Sequence, residues 1–167
     1  VKNLASDQSD DIAARLKREG VRVVRGRGRL AGPGVVIATL PDGSEERLEA
    51  SAVLLATGAR PRVLPSAMPD GDRILTWEQV YDMKETPTHL IVVGSGVTGA
   101  EFASAYLNLG IEVTLVSSRD RVLPGEDADA AEVLEGVLTR RGMHVLGESR
   151  MESVTRHGDV VEVRLTD

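Results

Sequence analysis

The chain has 167 residues, enough for one ordinary domain or for parts of two. No apolar run approaches the roughly 18 residues that a bilayer span needs, although 41% of residues are hydrophobic. A net charge of -6 with only 2% aromatic residues argues against general nucleic-acid binding, and with 0 cysteines this stretch holds neither disulfide nor thiol centre. Nothing at the N-terminus resembles a secretory leader, so a soluble cytoplasmic protein is expected, and Val1 in place of Met suggests a start further upstream.

Residues 4–19 show a helical apolar spacing with Ile12, Ala13 and Leu16 on one side, Ser9 or Asp10 as the cap and Gly20 as the stop. Val21 to Val24 predicts a short strand. Arg25-Gly26-Arg27-Gly28-Arg29 follows, and the arginines at 22, 25, 27 and 29 read either as a phosphate patch or, more commonly for such a run, as a solvated strand edge. Val35 to Leu40 and Glu46 to Ala50 flank Pro41-Asp42-Gly43-Ser44, a hairpin signal with turn chemistry at its tip. Ala52 to Ala56 is apolar enough for a buried strand and ends in Thr57-Gly58-Ala59-Arg60-Pro61. Residues 59–73, with Pro61, Pro65 and Pro69, form a linker between two domains, 1–66 and 67–167.

Thr76 is the cap of a short helix, with Gln79 completing a capping box and Trp77, Val80 and Tyr81 on the apolar side. Leu90 to Val93 then has the length of a buried parallel strand. Gly94-Ser95-Gly96-Val97-Thr98-Gly99 follows at once, and Ala100, Phe102, Ala103, Tyr106, Leu107 and Leu109 continue as a helix closed by Gly110. Ile111 to Val116 returns as a second apolar strand. Three glycines at this spacing, between strand and helix in a βαβ unit of about 30 residues, point to a dinucleotide pyrophosphate site. Gly94 permits the turn, Gly96 the approach of backbone to phosphate, and Gly99 the packing of helix on strand. The free amides and partial positive charge of the helix start would face the phosphates.

Asp127 to Arg141 predicts a helix closed by Gly142, with Ala131, Val133, Leu134, Val137 and Leu138 as its buried stripe. Met143 to Leu146 is a further parallel strand, and Met151 to Arg156 pairs with Val160 to Thr166 across His157-Gly158-Asp159. The predicted architecture is α/β: two incomplete Rossmann-like units, three-layered with a parallel sheet and an antiparallel meander, cut from a longer polypeptide. His89, His144 and His157 lack ligand spacing, and Glu126, Asp127 and Asp129 read as a charged helix start, so no metal site is expected.

Three motifs in order resemble those of the pyridine nucleotide-disulfide oxidoreductases, flavoproteins related to lipoamide dehydrogenase and glutathione reductase. They are V-x-G-x-G at Val24 to Gly28, A-T-G-A-R-P at Ala56 to Pro61 and V-V-G-S-G-V-T-G-A-E-F-A at Val92 to Ala103. R-x-L-P at Arg121 to Pro124 supports the resemblance. L-P-S at Leu64 to Ser66 with I-L-T-W at Ile74 to Trp77 is similar to an actinobacterial quinone-reducing branch that lacks the redox-active cysteine pair. The resemblance implies part of an FAD domain, in which Gly28 approaches the adenine end and Thr57, Gly58 and Ala59 line the flavin nucleotide. It implies a nicotinamide-nucleotide loop at Gly94, Ser95, Gly96, Val97, Thr98 and Gly99, and a catalytic position at Glu101 whose carboxylate reaches toward the nicotinamide. As a bare residue, Glu101 reads equally as a first-turn glutamate complementing the helix dipole.

The end of the second strand distinguishes the two nicotinamide cofactors. NADH sites commonly place an acid there for the ribose 2′-hydroxyl, whereas an arginine accommodates the 2′-phosphate of NADPH. Here the family position is Ser117, followed by Ser118, Arg119 and Asp120, which favours NADPH or dual use. Asp120 either pairs with Arg119 or substitutes for the missing acid. The reading is an FAD-dependent oxidoreductase that takes hydride from NADPH or NADH and serves a small-molecule acceptor, by resemblance a quinone or a disulfide, within a homodimer. A nicotinamide-binding redox sensor without turnover is the alternative from another class.

Overall fold

The computed structural model describes residues 2–166, which fall into two units that divide between Ala59 and Arg60. In the first, α1 (Lys2–Arg18) is followed by β1 (Arg27–Leu30), β2 (Val35–Thr39) and β3 (Glu45–Glu49), an antiparallel meander in the order β1-β2-β3. The predicted hairpin is present, with Val35 opposite Glu49 and Thr39 opposite Glu45. At its tip, Asp42 accepts hydrogen bonds from the Ser44 amide at 3.0 Å and the Ser44 hydroxyl at 2.6 Å.

Three expectations for this unit are corrected. The helix starts at Lys2, so Ser9 lies in its interior, where its hydroxyl donates to the Ala5 carbonyl instead of capping. Val21 to Val24 and Ala52 to Ala56 form no strand. An apolar run becomes a strand only where a neighbour completes its ladder, and neither run has one among the described residues. Leu54 is 88% exposed. The strand of this region is β1 instead, and its exposed edge bears out the solvated reading of the arginines. Arg22 reaches Glu46 at 2.7 Å and Arg29 reaches Glu45 at 3.4 Å.

The second unit contains α2 (Trp77–Val80), β4 (His89–Val93), α3 (Val97–Asn108), β5 (Glu112–Val116), α4 (Ala128–Arg140), β6 (His144–Leu146), β7 (Arg150–His157) and β8 (Val160–Thr166). Strands β4, β5 and β6 form a parallel sheet with β5 at its centre, while β7 and β8 pair antiparallel. Parallel neighbours need a crossover, and α3 and α4 supply the two. One core cluster joins Ala100 and Ala103 of α3, Val113 and Leu115 of β5, Leu138 of α4, and Ile111, Val122 and Met143. The small residues of α3 bring that helix close to the sheet.

Two stripe residues depart from expectation. Val133 and Leu109 are both 68% exposed, each lying off the face its helix turns to the core. Thr76 caps α2 as predicted, with its amide donating to Gln79 Oε1 at 2.9 Å. Within this unit the proline-rich segment is held to the β7–β8 hairpin. The Val154 amide donates to Ser66 O at 2.8 Å, and Arg156 binds Asp70 at 3.1 Å and Asp72 at 2.7 Å. No helix among the described residues is long and apolar enough to cross a membrane.

Candidate functional site

The carboxyl ends of β4, β5 and β6 gather three loops. The Gly94 amide extends the ladder to Val116 O at 2.9 Å, Ser117 N reaches Leu146 O at 2.8 Å, and Ser149 N reaches Ser117 O at 2.8 Å. Loops at this edge of a parallel α/β sheet are where such folds bind ligands.

Each glycine of the first loop has a separate requirement. Gly94 has φ 109°, a conformation that L-residues rarely adopt. Gly99 lies so close to the turn that an added Cβ would collide with the Gly94 carbonyl oxygen. At Gly96, by contrast, an added Cβ would meet nothing within 4 Å. That space is open to solvent, because Gly96 is the exposed N-cap of α3. It offers no side-chain cap, so among the described residues the first amides of the helix, from Val97 to Gly99, have no acceptor. The start of α4 is the opposite: Asp127 Oδ1 accepts from Asp129 N at 3.1 Å and Ala130 N at 3.3 Å. Asp127 thus serves as a cap, and among the described residues no group of three or more His, Asp or Glu is placed to hold a metal ion.

Val97 and Thr98 are exposed, whereas Ser95 is 5% exposed. Glu101 projects to solvent from α3 with no hydrogen bond or ion pair among the described residues. Beside it, Phe102 packs against Tyr81 with ring centroids 5.5 Å apart.

The three residues after β5 divide. Ser118 and Arg119 are exposed, and Arg119 has no carboxylate partner among the described residues; Asp120 lies 3.7 Å from Arg121 instead. Ser117 is fully buried, and its hydroxyl faces inward, 2.7 Å from Ser95 Oγ. Ser117, which the sequence places at the 2′ end of the nucleotide, therefore has its hydroxyl committed to internal bonds. Sequence reading also missed Glu135, whose carboxylate accepts the Val122 amide at 2.8 Å and so holds the loop from α4. No local pattern announces a bond spanning that separation.

In the first unit, Gly28 pairs with Ala38 in the meander, and an added Cβ would make only an ordinary contact with Val36 at 3.7 Å. Thr57, Gly58 and Ala59 lie exposed outside regular structure, with Gly58 at φ 73° and nothing within 4 Å of its Cβ position.

The family model for pyridine nucleotide-disulphide oxidoreductases matches residues 2–167. The chain is 56% identical over its full length to an NAD(P)H dehydrogenase (quinone) of Mycobacterium tuberculosis, covering 35% of that protein. It is 37% identical to a dihydrolipoyl dehydrogenase of Chlorobaculum tepidum, over 92% of this chain and 33% of that one. Among solved structures, LpdA from Mycobacterium tuberculosis superposes with a TM-score of 0.84 at 56% identity, over 99% of this chain and 37% of that one. The water-forming NADH oxidase of Lactobacillus brevis, bound to NADH, superposes with a TM-score of 0.61 at 25% identity, over 83% of this chain and 32% of that one. The chain spans about a third of the length of the curated relatives it matches. A match over 2–167, with an open glycine loop at the ends of a parallel sheet, settles the kinship: the chain belongs to the pyridine nucleotide-disulphide oxidoreductase family.

Proposed function

We propose that this chain is the nicotinamide-nucleotide-binding portion, residues 67–167, and part of the FAD-binding portion, residues 1–66, of an NAD(P)H-dependent flavoprotein oxidoreductase. The observation that carries the reading is the uncapped, exposed start of α3 at Gly96, directly after β4. Its amides and helix dipole suit a pyrophosphate, and the absence of a Cβ leaves room for one. Gly94 through Gly99 would hold that group, Ser118 and Arg119 would take the adenosine ribose or its 2′-phosphate, and the Ser117 backbone would set the rim. An unpaired guanidinium with a neighbouring hydroxyl, and no acid on the strand end, favours NADPH over NADH while leaving both usable.

Glu101, one turn into α3 and without a partner among the described residues, would orient the nicotinamide end. The open backbone at Gly28 and at Thr57 to Ala59 is compatible with an extended FAD lying along it. Bound flavin would supply the redox chemistry, accepting hydride from the nicotinamide and releasing electrons to an acceptor. A quinone is the favoured acceptor class, because the relative with 56% identity is named an NAD(P)H dehydrogenase (quinone).

The test is the visible spectrum of the native protein under nitrogen, before and after separate additions of NADPH and NADH. Bleaching of a flavin band, with reoxidation by a quinone, is the expected result. A colourless protein that still binds nucleotide would overturn the oxidoreductase reading.

A further inference from the structure

The segment from Ser117 to Leu123 is tethered by more bonds than its ends alone would supply. Ser117 Oγ accepts the Arg119 amide at 3.1 Å and lies 2.7 Å from Ser95 Oγ, and both hydroxyls lie 3.3 Å from the Arg121 carbonyl. The Arg119 carbonyl in turn accepts the Glu148 amide at 2.8 Å, and the Ser95 carbonyl accepts the Leu123 amide at 2.8 Å. Leu123 and Glu148 are the positive-φ non-glycine residues among those described, at 52° and 51°. Such conformations persist only where the surroundings over-determine them. Both donate to the rim of this one site. The backbone of Arg119 is therefore held on both sides, while its side chain is exposed and unpaired among the described residues.

We infer that Ser117, supported by Ser95, is a positioning residue that sets the pose of Arg119 and thereby discriminates a 2′-phosphorylated nicotinamide nucleotide from its unphosphorylated counterpart. This rests on the proposed nucleotide reading. The hydroxyl inventory closes on itself: one proton bridges the serine pair, the other goes to Arg121 O, and a lone pair on Ser117 takes the Arg119 amide. A carboxylate in that inward pose would face the Arg121 carbonyl without a proton to share, at a large desolvation cost. The buried pair thus suits a site without the acid that reads a bare ribose. Because Ser95 belongs to the glycine loop, the same pair ties the pyrophosphate side of the site to the ribose side.

The experiment compares Ser117→Ala, Ser95→Ala, Arg119→Ala and the Ser117→Ala/Arg119→Ala double variant in the native protein. Calorimetry reads NADPH and NADH binding, and hydrogen exchange reads the Arg119 amide in unliganded protein. Ser117→Ala is expected to speed that exchange and to weaken NADPH about fivefold to tenfold, with less than about twofold change for NADH. The double variant should bind NADPH no more weakly than Arg119→Ala alone, because the serine acts through the arginine. Ser95→Ala keeps the Ser117–Arg119 bond and should give a smaller shift of the same selectivity, which carries the test if Ser117→Ala fails to fold. Parallel losses for both nucleotides, or additive losses in the double variant, would overturn the inference while leaving the nucleotide site standing. Arg119→Ala without effect on NADPH would overturn the phosphate reading beneath it as well.

Discussion

Alanine at Gly96 and alanine at Gly99 add the same methyl group three residues apart, yet the structure assigns them opposite consequences. Gly96 has φ -70°, accessible to any residue, and an added Cβ meets nothing within 4 Å. Its cost to folding is only the weaker preference for alanine at an N-cap, at most about 1 kcal/mol. Its cost to binding is larger, since the methyl occupies the space through which a pyrophosphate would reach the helix amides. Losing one charge-assisted bond, worth about 1.5–3 kcal/mol, weakens nucleotide roughly tenfold to a hundredfold. At Gly99 the methyl collides with the Gly94 carbonyl oxygen, and the Gly94 amide is itself bonded to Val116 O at 2.9 Å. Backbone cannot rotate away as a side chain does, so the cost falls on folding, at about 3 kcal/mol by comparison with overpacked cores. Denaturant melts with calorimetric titration of NADPH separate the two. A Gly96→Ala protein that melts early but binds normally, or a Gly99→Ala protein of native stability, would refute the reasoning.

Arg119→Ala should weaken NADPH by roughly 1–3 kcal/mol and NADH far less, measured as separate dissociation constants; equal losses would sink the phosphate clamp. Asp70 accepts the amides of Ile74, Asp72 and Arg73 at 2.9 Å each and the Arg156 guanidinium at 3.1 Å, which together hold its carboxyl well below the usual carboxylate range. A depressed native pKa gives stability that is complete above the unfolded value of about 4 and is lost as pH falls below it. Asp70→Asn should therefore cost on the order of 1 kcal/mol near neutrality and progressively less in acid, followed by thermal melts across pH; a constant difference at every pH would contradict the assignment. Leu138, 2% exposed in the α4 contribution to the core, should cost about 2–5 kcal/mol when cut to alanine, with denaturant midpoint as the readout.

What the sequence revealed was what local chemistry determines. Glycine spacing placed the turn between β4 and α3, Asp127 and Gly142 bracketed α4, and Pro41-Asp42-Gly43-Ser44 fixed the β2–β3 hairpin, each through interactions within a few residues. The misses needed information from elsewhere in the chain. Ala52 to Ala56 has the composition of a strand, but composition cannot supply a ladder partner. The linker around Pro65 and Pro69 lacks periodicity because its order comes from Arg156 and Val154, beyond eighty residues away in sequence. In the site, position and residue type announced Ser117 and Arg119, but not that one hydroxyl turns in and one guanidinium turns out. Ser95 and Ser117 stand 22 residues apart and meet only because β4 and β5 are neighbours in register.

The contrast between the starts of α3 and α4 carries this furthest. Both helices follow parallel strands in one sheet, and in both the first-turn amides have no partner within the helix itself. The α4 amides are satisfied by Asp127, a charge built into the chain, while those of α3 are left to Gly96, which has no side chain to give. An aspartate at position 96 would close that difference by supplying the anion internally, which by capping preference should stabilise α3 by a few tenths to about 1 kcal/mol. That the chain instead carries glycine, beside a Gly94 held at φ 109° and a Gly99 packed against its carbonyl, means that local stability has been forgone at this one helix start. On the proposed reading, an external anion would recover it on binding. The same electrostatics that make α4 a structural element would then make α3 a receptor, through the side chain that Asp127 has and Gly96 lacks.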